Sequence, residues 1–383
     1  MTSFHGPEGQ EDMPYLLTPG PLTTSRTVKM ALMADWGSRD VEFRQVVREI
    51  REELLKLAGC DNSYECVLMQ GSGTFAIEAA LGSLTPAKRK KTLILANGAY
   101  GERAAQILEK LGRNHVKISK SDTTQLSAKH ITKPLEDDLA ISHVWVIHCE
   151  TTSGIVNPLS VLAKEAKDRD CVFMVDAMSS FGALDINMQR DDIDVMVSSS
   201  NKCIEGVPGF SYVLVKKSLL VASEGNSHSV VLDLFDQWKG LEGNGQFRFT
   251  PPTHALVAFR QALRELESEG GIAAREVRYK RNAEVLVKGL DALGISPLLD
   301  DHSSGPIIQT FLSPRDANFK FDIFYDGLRA KGFAIYPGKL TKRDSFRIGT
   351  IGRLDEAVME RVVKAIGEVL KDMKVRDCAP LEA

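Results

Sequence analysis

The sequence predicts an α/β protein in which a mostly parallel, seven-stranded sheet lies between layers of helices, followed by a smaller C-terminal α+β unit. Three observations carry that expectation. From about residue 40 to 215, short apolar runs bounded by Gly, Asn or Asp alternate with segments of helical period, the pattern of strands buried on both faces and joined by covering helices. After about residue 255 the texture changes to long helical stretches and separated apolar runs. A chain of 383 residues has room for two such units, and we draw the division between 1–262, with an N-terminal arm, and 263–383.

Taken in order, Asp40 stands where it can cap a helix with Phe43, Val46, Val47, Ile50 and Leu54 on one face, stopped by Gly59. Seven strands are expected at Cys66–Met69, Thr92–Leu95, Val116–Ile118, Val144–His148, Val172–Val175, Val195–Val197 and Tyr212–Val215. Amphipathic helices lie between several of them, as at Glu102–Leu111 and Leu159–Asp168. A helical stretch from Ala255 to Leu290, broken near Gly270 and Gly271, leads into the second unit. That unit has strands at Ile307–Leu312, Phe333–Tyr336 and Phe346–Ile348, and helices at Asp322–Ala330 and Asp355–Leu370.

Composition excludes several function classes. An apolar share of 43% and a charged share of 26% describe an ordinary globular protein, and a net charge of −3 provides no attraction for nucleic acid or an anionic membrane. The opening MTSFHGPEGQEDM is polar and acidic where a signal peptide is basic and then apolar, so a cytoplasmic protein is expected. Six cysteines without a CxxC pair and eight histidines without an HxxxH pair predict no metal centre and no disulfide framework.

In a parallel α/β sheet, ligands bind beyond the carboxyl ends of the strands, so the junctions after each strand deserve most weight. The first is QGSGTFAIEAAL, where Ser72, Gly73 and Thr74 open a helix and set backbone N–H groups and two hydroxyls where a phosphate can dock. Gly71, Gly73 and Ala76 also fit a dinucleotide fingerprint. That fingerprint requires an acid about 20 residues on, and the next strand ends TLILANGAYG with none. The second junction carries Tyr100, which either stacks on a flat cofactor or packs on the sheet edge. The third carries Glu150, Thr151 and Thr152, a polar cluster that serves equally as a turn or a helix cap.

The fourth junction is a pair. Asp176 ends the apolar run Val172–Val175, and Lys202 comes 26 residues later, just after the next strand. A buried aspartate needs a cation and a buried lysine needs a reason to be there. A mutual salt bridge is one reading. The other gives both residues to one ligand: a desolvated lysine forms a Schiff base with pyridoxal phosphate, the aspartate keeps the pyridine nitrogen protonated, and the earlier turn holds the phosphate. Gly206 and Gly209, after the lysine, are expected to leave room for backbone close to that cofactor. A nucleotide-binding or interaction protein would leave the ordered strand-end motifs without a role.

The order TPGPL, QGSGT, NGAYG, HCETTSG, VDAMSSFG, SSSNKCIEGVPG and FRIGTIG, spread from Tyr15 to the last helix, resembles the class V branch of fold type I aminotransferases. The resemblance implies pyridoxal 5'-phosphate held covalently by Lys202, with Asp176 at its ring nitrogen. It also implies a phosphate turn at Ser72, Gly73 and Thr74, a stacking ring at Tyr100 and a hydroxyl at Thr151 near the phenolic oxygen. Thr250 in FRFTPPTH matches a residue that reaches the site from the partner subunit of a homodimer. Arg347 in FRIGT matches the arginine that receives the substrate's anionic group; from the residues alone, it is either ion-paired or an anion receptor. The implied reaction is amino transfer from 2-aminoethylphosphonate to pyruvate, the alternative within the branch being an alanine:glyoxylate or serine:pyruvate exchange. The WGSRDVEF stretch near residue 40 departs from the more acidic version in some members.

Overall fold

A computed structural model describes residues 6–8, 10, 12–338 and 343–381. Its main sheet contains seven strands: β1 (Tyr64–Gln70), β2 (Lys91–Ala96), β3 (His115–Ser119), β4 (Ile141–Ile147), β5 (Val172–Asp176), β6 (Val195–Ser199) and β7 (Phe210–Lys216). They run in the order β1-β7-β6-β5-β4-β2-β3. Only β7 is antiparallel, to both β1 and β6. The inner strands are buried nearly throughout because helices cover both faces, as the unbroken burial of β6 shows. Register aligns Ile147 with Asp176 and Asp176 with Val197, so the carboxyl ends of β4, β5 and β6 stand level.

The helices that position the site are α1 (Val41–Leu57), α2 (Gly73–Leu84), α3 (Ala99–Lys110), α4 (Leu159–Lys167), α5 (Thr253–Glu269) and α6 (Gly271–Ala292). Helices α1 to α5 share one hydrophobic core with the sheet. A second core packs α6 against α7 (Phe321–Ala330) and α8 (Glu356–Asp372) and against the three-stranded sheet β8 (Ile308–Leu312), β9 (Tyr336–Pro337) and β10 (Ser345–Gly349). A small apolar cluster that includes Leu22, Cys149, Cys203 and Tyr279 lies apart from both.

Two local expectations are corrected. Asp40 occupies the position before α1, but its carboxylate makes no cap; it folds back toward Gly37, where an added Cβ would lie 2.2 Å from Asp40 Oδ2. The single strand expected at Phe333–Tyr336 is two pieces, because each half finds a different partner. Phe333–Ala334 pairs in parallel with Tyr15–Leu16, whereas Tyr336–Pro337 joins β10. The break between α5 and α6 falls at Gly270 and Gly271, both with positive φ that a glycine adopts freely.

Candidate active site

Asp176 is the last residue of β5 and is 2% exposed. One carboxylate oxygen accepts the Met178 N–H at 2.9 Å. Burial pushes its pKa up to about 7, the Met178 hydrogen bond pulling the other way. Lys202 follows the end of β6 and is half-buried. Its Nζ donates to the carbonyls of Pro19 at 2.8 Å and Gly20 at 3.3 Å, and burial lowers its pKa to about 8. No ion pair joins Lys202 to Asp176 among the described residues, so the salt-bridge reading falls. Both groups are desolvated and neither is neutralised by a direct partner, the condition under which a protein tunes side chains for chemistry.

Arg347 lies on β10 between Thr310 of β8 and Tyr336 of β9. It is 3% exposed and makes no ion pair among the described residues. Its Nε donates to the Pro337 carbonyl at 3.0 Å and its Nη1 to the Thr151 carbonyl at 2.7 Å. Burial lowers its pKa, against the pull of Tyr100, Tyr336 and Glu150. Of the two roles open to it in sequence, the ion pair is absent. A guanidinium desolvated without a carboxylate has the chemistry to receive an anion.

Helix α2 begins without a side-chain cap, so the first-turn N–H groups of Gly73 and Thr74 lack intrahelical acceptors. The Ser72 side chain is exposed, and the Thr74 hydroxyl accepts from Arg103 Nη1 at 3.4 Å. A Cβ at Gly73 would lie 2.3 Å from the Met178 sulfur, so glycine is what lets this turn approach the Asp176 loop. Tyr100 sits in the first turn of α3, half-buried, with the Arg103 guanidinium 4.9 Å from its ring centroid. Thr250 is exposed, and its carbonyl accepts from Gln70 Nε2 at 3.4 Å, which holds it beside the strand leading to the Ser72, Gly73 and Thr74 turn.

The polar cluster after β4 divides its work. Glu150 caps α3: its Oε2 accepts from the N–H groups of Tyr100 at 3.0 Å and Gly101 at 3.4 Å, while its Oε1 accepts from Thr152. The Thr152 hydroxyl accepts the Ala99 N–H at 2.9 Å. Thr151 is buried between them and contributes its carbonyl to Arg347. Gly206 and Gly209 lie close against protein: an added Cβ at Gly206 would lie 2.6 Å from the Ser200 carbonyl oxygen, and one at Gly209 2.8 Å from Ala255 Cβ.

Sequence reasoning missed the Pro19 and Gly20 carbonyls and Arg103; of the turn and helix-cap readings of the Glu150 cluster, the cap is seen. TPGPL was visible as a motif, but a carbonyl's role leaves no signal in residue type. A cleft of about 960 Å³ along α3 and β3 meets this site through Gly98, Ala99, Arg103 and Thr152. No group of His, Cys, Asp and Glu among the described residues is arranged to hold a metal.

The comparisons with known proteins agree with this geometry. Residues 31–311 match the model of the family described as aminotransferase class-V. A 2-aminoethylphosphonate–pyruvate transaminase of Rhizobium meliloti (strain 1021) is 50% identical over 368 residues, 96% of each chain. One of Pseudomonas aeruginosa (strain PAO1) is 46% identical over 365 residues, covering 95% of this chain and 98% of its own. Among solved structures, pyridoxamine-pyruvate aminotransferase from Mesorhizobium loti superposes with a TM-score of 0.86 at 21% identity, covering 95% of this chain and 94% of the other. Alanine–glyoxylate aminotransferase from Nostoc sp. does so with 0.86 at 23% identity, covering 94% and 95%. These last two establish the fold. With its sheet, its strand-end lysine and aspartate and its near full-length relatives, the chain belongs to the class-V aminotransferase family.

Proposed function

We propose that the protein is a pyridoxal-phosphate-dependent transaminase that moves the amino group of 2-aminoethylphosphonate to pyruvate, releasing phosphonoacetaldehyde and L-alanine. One observation carries the chemistry: Lys202, Asp176 and Arg347 are desolvated around one set of strand ends without neutralising partners. The substrate choice is supported by relatives of 44–50% identity over nearly the whole chain that bear that activity in their names.

The residues present fit the cofactor. The uncapped start of α2 offers N–H groups and the Ser72 and Thr74 hydroxyls for a phosphate, and the Asp176 carboxyl, pushed up by burial with no cationic partner, would be held as the carboxylate by a protonated ring nitrogen beside it. When bound, pyridoxal phosphate supplies a carbonyl for the substrate amine and a ring that draws electrons from the amine-bearing carbon. Lys202 would hold the cofactor between turnovers and, as a free amine, would move the proton from that carbon; its lowered pKa keeps a useful fraction of base near neutral pH. Asp176 would hold the ring-nitrogen proton, Tyr100 would supply a stacking face and Thr151 a hydroxyl for the phenolic oxygen. Arg347 binds the phosphonate in the first half-reaction and the carboxylate of pyruvate in the second, because a guanidinium fork suits either anion.

The same reading includes a homodimer in which Thr250 completes the partner's phosphate site. The exposed Phe75, Phe249, Val230 and Val231 support it as apolar surface awaiting cover near that segment. Cytoplasmic residence fits six cysteines that are all free. No helix among the described residues is long and apolar enough to cross a membrane. The division at 262/263 falls within α5, and we propose the Gly270–Gly271 break as the boundary, because Leu263 and Leu266 pack into the first core.

The test is alanine formation from 2-aminoethylphosphonate and pyruvate by the loaded protein, with L-serine and with L-alanine plus glyoxylate as competitors. Arg347→Ala is expected to cut kcat/KM at least about a hundredfold in both half-reactions while visible absorbance stays. Faster turnover of L-serine than of the aminophosphonate would overturn the substrate assignment.

A further inference from the structure

The turn that carries Lys202 is gripped from its far side by a buried ion cluster. Within the turn, the Glu205 N–H donates to the Lys202 carbonyl at 2.8 Å and the Gly206 N–H to the Ser200 carbonyl at 3.0 Å. Glu205 has a left-handed φ of 65°, a conformation that a residue with a side chain adopts only under external constraint. That constraint comes from α6. Glu205 Oε1 accepts from Tyr279 OH at 2.5 Å and Arg278 Nη2 at 2.8 Å, and Arg275 Nη1 donates to the Cys203 carbonyl at 2.7 Å. Glu269 closes the cluster, pairing with Arg275 at 2.7 Å and Arg278 at 2.8 Å. The Arg275 and Glu205 side chains are 1% and 3% exposed.

The cluster also reaches the segment after Arg347. Arg278 Nη1 donates to the Gly352 carbonyl at 2.6 Å, and the Gly352 N–H donates back to Tyr279 OH at 3.1 Å. From there the contacts return to the lysine. Gly349 N–H bonds the Leu17 carbonyl at 2.8 Å and Arg353 N–H the Thr23 carbonyl at 2.7 Å, on either side of the Pro19 and Gly20 carbonyls that hold Lys202 Nζ. The path is a closed ring of hydrogen bonds with the amine on one side and the strand of Arg347 on the other.

Two arginines and two glutamates joined in four ion pairs are a costly way to hold a core together, since well-packed apolar residues do it as well, and their use is better explained by the geometry they impose. We propose that Glu205, Arg275, Arg278 and Tyr279 form a positioning clamp that fixes the separation between the Lys202 amine and the Arg347 guanidinium, and so selects substrates by the distance between their amine and their anionic group. The clamp rests on the proposed roles of those two residues.

The test uses the loaded enzyme and three substrates of graded length: aminomethyl-, 2-aminoethyl- and 3-aminopropylphosphonate. Tyr279→Phe removes two hydrogen bonds of the ring without changing charge, and Glu205→Gln weakens both arginine contacts. The preference in kcat/KM for the two-carbon over the three-carbon substrate is expected to fall about tenfold in Tyr279→Phe, mostly through KM. The pH midpoint of the visible absorbance is expected to move up as the positive Arg347 and the desolvating walls recede from Lys202. Leu286→Ala, a cavity in the buried face of the same helix, serves as the control that lowers Tm without touching the ring. If Tyr279→Phe behaves like Leu286→Ala, with Tm lowered but length preference and spectral midpoint unchanged, the clamp is overturned, and Tyr279→Phe alone decides if Glu205→Gln fails to fold. Should the wild type refuse all three aminophosphonates, the substrate reading fails; an unmoved spectral midpoint would then still overturn the clamp and an upward shift would still support it.

Discussion

Two buried groups of charges flank the Lys202 turn, and they differ in one respect. On the side facing the strand ends, Lys202, Asp176 and Arg347 are desolvated without ion-pair partners among the described residues; on the side facing α6, Glu205 and Arg275 are buried, Glu269 and Arg278 are half-buried, and the four satisfy one another. The consequence is opposite titration. Burial, the largest cause for each, drives Asp176 up to about 7 and Lys202 down to about 8, so both can change protonation near neutral pH. Burial also works against charge on Arg275 and Arg278, but the Glu205 charge overrides it and raises both, while contacts with the two arginines hold Glu269 below the usual carboxylate range. Burial makes a charged group expensive; pairing decides whether it is locked or available.

The comparison breaks most visibly at Lys202. Lys202→Ala is expected to lower amino transfer by at least about 10⁴-fold and to abolish visible absorbance on adding pyridoxal phosphate, because one side chain serves as both anchor and base. Tm without cofactor should not fall, since the variant removes a desolvated ammonium from a site where it has only carbonyl partners. A variant that keeps its absorbance would remove Lys202 from the available group.

Asp176→Asn comes next, with an expected loss of about 10² to 10⁴ in kcat. Its stability carries the sharper test. A carboxyl whose pKa is raised on folding from 3.8 to about 7 binds more protons folded than unfolded between those values, so the cofactor-free wild type loses stability as pH rises through that window. The asparagine lacks this loss. The variant should therefore gain in Tm over the wild type between pH 4 and 7 and keep the gain above it. A Tm difference that is flat with pH would mean that Asp176 is paired after all.

How much of this was legible in the sequence depends on the distance over which each feature is made. Strands buried on both faces read as short apolar runs, and a charged residue at the end of such a run, as Asp176 after Val172–Val175, announces itself. Arg347 was legible in another way, as a charge between Phe346 and Ile348 inside a short strand, the family resemblance supplying its role. The split of Phe333–Tyr336 was not, because which partner each half takes is a tertiary matter. The contacts that hold the site were invisible: Pro19 meets Lys202 across 183 positions and Glu205 meets Arg278 across 73, and nothing local marks either pair. Lys202 and Asp176 could be singled out because desolvation is encoded next to them; their supports could not, because pairing is encoded elsewhere.

Glu150 tests the boundary between the two kinds of charge. It is fully buried and its pKa is raised by burial, as for Asp176, yet its four hydrogen bonds, three from backbone N–H groups and one from the Thr152 hydroxyl, tie it to the scaffold. As a cap of α3 it should behave structurally: Glu150→Gln keeps one strong acceptor and is expected to cost about 0.5–2 kcal/mol of stability, with kcat changed by less than about tenfold. The sign with pH follows from the raised pKa. The wild type loses stability as pH rises from the ordinary glutamate range through the raised value, and glutamine does not, so the gap between the two in Tm should narrow toward high pH. An unchanged Tm with amino transfer lost would instead make Glu150 a third available group beside Asp176 and Lys202, and the distinction between locked and available charge would have to be drawn by geometry toward the substrate and not by pairing.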